Sequence, residues 1–131
     1  MVEPIKKELD LDFDHAVARV EKVLVEEGFV HMMTKHMDRV IMEKLGLSHY
    51  PRYTIILACG PELARAALEV SRDTGLLFPC SFAVYQEEDK VMVGHVSIMK
   101  IAPAIGLAPA DKMGPVIEMT GSLVQAVWQK I

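Results

Sequence analysis

The chain has 131 residues, 51% of them hydrophobic, 24% charged and 6% aromatic, with a formal net charge of −4. That length fits one domain, residues 1–131, large enough to bury a core without a metal or a disulfide. No dense lysine and arginine block is present to neutralise phosphates, which argues against a nucleic-acid partner, and no run reaches the roughly 20 apolar residues that span a bilayer, which argues against a membrane partner.

The charged opening Met1–Glu8 lacks the apolar core of a signal peptide, so the chain reads as cytoplasmic and soluble. Ile5–Leu11 alternates apolar and charged residues, as a short edge strand does. Asp12 or Asp14 then supplies a carboxylate to the free N–H groups of a helix start. Phe13, Ala16, Val17, Val20 and Leu24 recur at helical spacing, and Gly28 closes the helix. Phe29–Met37 follows as a strand whose period of two sets Phe29, His31, Met33, Lys35 and Met37 on one side. Asp38 caps a short helix through Val40, Ile41 and Leu45, ended by Gly46, and Leu47–Arg52 links onward.

Tyr53–Ala58 is apolar at both parities except Thr54, which fits a central strand covered on both faces, or on one face plus a contact with a second copy. Gly60 and Pro61 start a helix, proline at the first position where its missing N–H costs nothing. Leu63, Ala66, Ala67 and Val70 form its apolar stripe, and Asp73-Thr74-Gly75 ends it. Leu76–Pro79 leads into a strand over Cys80–Gln86. Glu87–Lys90 is a polar turn, and Val91–Met99 completes a hairpin in which Val91, Val93, His95 and Ser97 share one side. The Pro-interrupted apolar segment 100–110 is expected to wrap the sheet edge or meet a partner subunit. The last helix runs from about Asp111 to Gln129, with Val116, Met119, Leu123, Val127 and Trp128 inward. The order β-α-β-α-β-α-β-β-α predicts a two-layer α+β fold, one mostly antiparallel sheet with helices packed on one face.

Chemistry is thinly advertised. Cys59 stands between a strand and the helix starting at Pro61, where the partial positive charge of a helix N-terminus favours a thiolate. The simpler reading is a small buried hydrophobe closing a tight turn. Cys80 is equally open to space filling. Strands running parallel would hold the two thiols roughly 20 Å apart; antiparallel strands would let them approach the ~7 Å Cα spacing that a disulfide needs. Separation is the favoured reading, with both cysteines reduced. No CxxC spacing supports zinc, and the Met- and His-rich run His31–Met37 reads as core or interface filling before it reads as a copper site. His95 and Ser97 share a strand face without a nucleophile elbow or a carboxylate partner. No phosphate loop or dinucleotide fingerprint occurs. No cofactor and no metal are expected.

The steps Ala58-Cys59-Gly60-Pro61-Glu62-Leu63-Ala64 and Gly75-Leu76-Leu77-Phe78-Pro79-Cys80, a helix apart, resemble the family known as domain of unknown function 302. The helix ending at Gly28-Phe29 and the step Lys44-Leu45-Gly46 match as well, so the resemblance covers nearly the whole chain. It implies an α+β fold similar to the TATA-binding-protein-like arrangement and a homodimer, with no assigned activity. Two departures stand out: Gly60 replaces the family's usual asparagine, and Met99–Ala102 replaces an Asp-Pro step.

The leading expectation is a non-catalytic homodimeric module that binds a small molecule or a protein partner. The alternative is a thiol-dependent sulfur, redox or metal-handling protein acting through Cys59, flanked by Gly60, with Cys80 as a second thiol.

Overall fold

The computed structural model describes residues 2–131. In chain order the elements are β1 (Ile5–Leu9), α1 (Phe13–Glu26), β2 (Val30–His36), α2 (Met37–Leu45), β3 (Tyr53–Cys59), α3 (Pro61–Val70), a 3-10 turn over Arg72–Leu77, β4 (Cys80–Glu87), β5 (Lys90–His95), α4 (Ile98–Ala104) and α5 (Ala110–Lys130). The strands form one five-stranded sheet in the order β1-β5-β4-β3-β2, with every neighbouring pair antiparallel. This is the expected α+β arrangement, with β1 at an edge.

Alternation along the central strands decides the layers. Thr54, Ile56 and Ala58 of β3 are buried while their neighbours are less so, and Cys80, Phe82 and Val84 of β4 alternate in step with them. The apolar ones among them join one cluster with Val20 and Leu24 of α1, Leu63 and Ala67 of α3, Met99 of α4 and Met113 and Val127 of α5. Four helices therefore cover one face of the sheet. The other face carries Ile55 and Leu57 of β3, Ala83 and Tyr85 of β4, and Met92 and Gly94 of β5 across its centre, with Lys6, Glu8 and Lys35 toward the outer strands.

Local chemistry sets the helix ends. Asp12 Oδ1 accepts the His15 N–H at 2.9 Å and begins α1. Gly28, at φ 98°, turns the chain out of it in a conformation that a Cβ would oppose. Met37, not Asp38, opens α2; the Asp38 carboxylate instead accepts the backbone N–H of Tyr53 at 3.1 Å, tying the helix to β3. At the hairpin, Glu87 pairs with Lys90 and only Glu88 and Asp89 form the loop.

The C-terminal third departs most from expectation. The strand predicted to reach Met99 stops at His95, and the first part of the segment predicted as an irregular wrap, residues 100–104, belongs to α4. Ser97 Oγ accepts the Lys100 N–H at 3.3 Å, capping this helix, so Ser97 leaves the strand face it was expected to share with His95. Pro103 lies in the final turn, where its missing N–H removes one bond, while Ile98, Met99 and Ala102 bury their side chains. In α5 the buried line is Met113, Val116, Thr120, Val124 and Val127, rotated from the predicted stripe, and Met119 is exposed. Thr120 tolerates burial because its hydroxyl donates to the Val116 carbonyl at 2.9 Å. Among the described residues no helix is long and apolar enough to cross a membrane.

Candidate functional site

The cysteines are brought together. In the β3–β4 ladder Ala58 stands opposite Cys80, so Cys59 lies one register step from Cys80. The expected separation rested on strands running parallel. Here α3 and the 3-10 turn return the chain to the same end of the sheet, and β4 leaves in the opposite direction. Both cysteines are free; Cys80 is buried in the core and Cys59 is half-buried. Burial pushes the Cys80 thiol up to about 11, and the neighbouring Cys59 adds to the rise.

Cys59, Gly60, Phe78, Pro79, Cys80 and Met99 border one depression of about 10 Å³. That is the room of one water at most. Gly60 packs tightly on α3: a Cβ there would sit 3.0 Å from Leu63 Cδ1, so a larger residue would require Leu63 to give way. Neither His49 nor His95 borders the depression.

The histidine- and methionine-rich run does not form the face predicted for it. A bulge between His31 and Met33 shifts the register of β2 on β3, so strict alternation fails there. His31 Nε2 donates to Thr34 Oγ1 at 2.7 Å, and Thr34 Oγ1 donates to Glu21 Oε2 at 2.5 Å. His36 Nδ1 bonds Thr54 Oγ1 at 2.8 Å. The histidines are thus tied into hydroxyl and carboxylate contacts, while Met32 and Met33 are exposed. Among the described residues no three His, Cys, Asp or Glu side chains gather where they would hold a metal ion.

A larger feature lies elsewhere. A cleft of about 450 Å³ opens between β1, the end of β5 and α5. That volume falls within the roughly 300–1,000 Å³ usual for small-molecule sites. Ile5, Ile117, Val124 and Trp128 give it apolar walls, and Gly121 of α5 leaves open space, since a Cβ there would meet nothing within 4 Å. Lys7 Nζ donates to the Trp128 carbonyl at 2.8 Å and to the Ile131 oxygen at 3.0 Å, locking the end of α5 to β1. Its charge thereby meets the negative end of the helix dipole.

His95 borders this cleft and is only 5% exposed. Its Nδ1 lies 2.9 Å from the Ser81 carbonyl, an oxygen that only accepts, so Nδ1 carries the proton. The ring stacks on Phe82, which fixes its plane. Nε2 is left as a buried lone pair without a hydrogen-bond partner among the described residues. Burial holds the imidazole below its ordinary value of 6.5, the bond to Ser81 opposing this only in part, so the ring is neutral. In the β1–β5 ladder Ile5 is directly opposite His95 and Lys7 lies two residues on, along the same face. The alternation in the sequence grouped His95 with Val91 and Val93, without indicating that this side is buried. It carried no sign of the cleft, because α5 and β1 meet there from opposite ends of the chain.

The model of the family described as "Domain of unknown function DUF302" matches residues 5–130. Among solved structures, the crystal structure of an uncharacterized conserved protein DUF302 from Bacillus stearothermophilus is similar, with a TM-score of 0.84 at 19% identity over 98% of both chains. At that identity the likeness speaks for the fold. A comparison with curated proteins finds no match.

Proposed function

The chain belongs to the DUF302 family, and from that premise we propose that it is a non-catalytic binding module holding a small molecule in the cleft between β1, β5 and α5. One observation carries this reading: a buried, neutral His95 with an unpartnered Nε2 at the border of a cleft large enough for a ligand. A buried acceptor left unsatisfied costs about 1–3 kcal/mol, and a bound donor would relieve it. The neighbouring groups favour binding over chemistry. The second nitrogen of His95 is held by a backbone carbonyl, where an acid–base dyad would place a carboxylate, and Ser97 is spent as a helix cap. The test is a small-molecule screen read by the amide resonances of Val124 and Trp128. Binding that disappears in Gly121→Leu, which fills the cleft from an open position, supports the module. Hits that ignore this substitution overturn it.

The module acts as a homodimer in this proposal, its second copy seated on the helix-free sheet face. That face has an apolar centre at Ile55, Leu57 and Ala83, with Lys6, Glu8 and Lys35 around it. An apolar middle with a charged rim is the anatomy of a protein interface. Charges of both signs on the rim suit self-pairing.

The thiol reading keeps one supporting observation, the adjacency of Cys59 and Cys80. It requires Cys59 to react in the folded protein, and a Cys59→Ser variant that keeps full thiol reactivity would remove it.

A further inference from the structure

The cleft proposed above for a small molecule also constrains the chemistry of that molecule. The unmet hydrogen-bonding capacity of His95, at its border, is an acceptor. His95 presents Nε2 as a lone pair, its Nδ1 proton being committed to Ser81. A ligand group placed against it must therefore donate an O–H or N–H, since two facing acceptors repel.

Charge selects little. Lys7 is the one cation fixed within the cleft by hydrogen bonds, and its ammonium is matched to the last carbonyls of α5. Glu3 and Lys100 bring opposite signs to the lining. An anionic ligand would give up its hydration against largely apolar walls, where Glu3 opposes the charge that Lys100 offers. The walls at Ile5, Ile117, Val124 and Trp128 instead suit a flat or branched apolar body.

Resting on the cleft as the binding site, we infer that it takes a neutral, mainly apolar small molecule of the phenol or azole class, whose terminal O–H or N–H donates to His95 Nε2. The ligand's hydroxyl or ring N–H lies against His95, and its hydrocarbon part covers Val124 and Trp128. His95 is then the residue that distinguishes donor-bearing ligands from their hydrocarbon analogues.

Three probes of nearly equal shape separate the possibilities: p-cresol, which donates; 4-methylanisole, which only accepts; and p-xylene, which does neither. Titrations of the full chain are followed through the Val124 and Trp128 amides and the imidazole nitrogens of His95. The expected result is p-cresol binding about tenfold more tightly than the other two, the scale of one hydrogen bond, with a shift of the Nε2 resonance. His95→Phe, which keeps a ring over Phe82, is expected to bring the three affinities level. Equal binding of all three to the wild-type cleft, lost in Gly121→Leu, overturns the donor rule and leaves the binding module standing. No change in the cleft resonances with any probe up to its solubility overturns both.

Discussion

The imidazole of His95 lies flat against the ring of Phe82, with 4.2 Å between centroids and 10° between planes. Phe82 is fully buried and meets Phe29 edge-on at 6.0 Å, so the histidine is built onto the rigid centre of the core. Phe82→Ala would remove the support for both rings. A loss of about 3–5 kcal/mol is expected, read as a lower midpoint in urea unfolding.

Burying a neutral histidine makes stability depend on pH. The folded imidazole titrates below its ordinary value of 6.5, so as pH falls through that value the unfolded chain binds a proton that the folded chain refuses. The contribution is complete above about pH 6.5 and declines on acidification toward the folded pKa. Asp12 and Asp14 are lowered by their hydrogen bonds to His15 and Arg52, respectively, and their stabilisation is lost only below the ordinary carboxylate value of 3.8, a separate window. Thermal midpoints are expected to fall between pH 7 and pH 5 in the wild type. In His95→Phe the slope over that interval should flatten, and an unchanged slope would refute the assignment.

The two thiols should differ sharply in access. Cys59 is half-buried and Cys80 is buried with its thiol held up to about 11. Iodoacetamide at pH 8 is expected to modify one thiol per folded chain, and the second only in denaturant. Cys59→Ser should leave no thiol that reacts in the folded state, as mass spectrometry would show. Reaction of Cys80 without unfolding would contradict its burial.

Lys7 holds the last turn of α5 to the sheet edge through the Trp128 and Ile131 oxygens. Lys7→Met keeps most of the hydrocarbon stem and removes the ammonium. Stability should drop by about 1–2 kcal/mol. Hydrogen exchange at the amides of residues 128–131 should quicken while the amides of β3 and β4 stay protected.

The proposed dimer makes its own demand on the helix-free face. Ile55→Lys places a charge at the centre of that surface, beside Ala83 and Lys35 in the ladder. The wild type is expected to sediment at about twice the chain mass and the variant at about the chain mass. A wild type that sediments as a single chain at every concentration removes the dimer.

Periodicity alone reached the architecture. The helical spacing from Phe13 to Leu24, the stop at Gly28, the apolar run Tyr53–Ala58 and the polar tip before Lys90 are local statements of propensity and burial, and each element formed where its pattern placed it. The misses share one cause: contacts distant in sequence overrode the local pattern. Burial of Ile98, Met99 and Ala102 made a helix where the end of a strand and the start of a wrap were expected, and Asp38 was drawn from capping α2 to the Tyr53 N–H. The direction of β4 relative to β3 set Cys59 beside Cys80, and no local signal encodes strand direction.

By itself, then, the sequence determined which residues seek the core and where the chain must turn, because hydrophobic period and backbone freedom act over a few residues. The partners were decided only when the sheet closed antiparallel and α5 came down beside β1. That packing joined Lys7 to Ile131 and left His95 with a buried lone pair at a cleft. A site of that kind exists only as the sum of contacts between opposite ends of the chain.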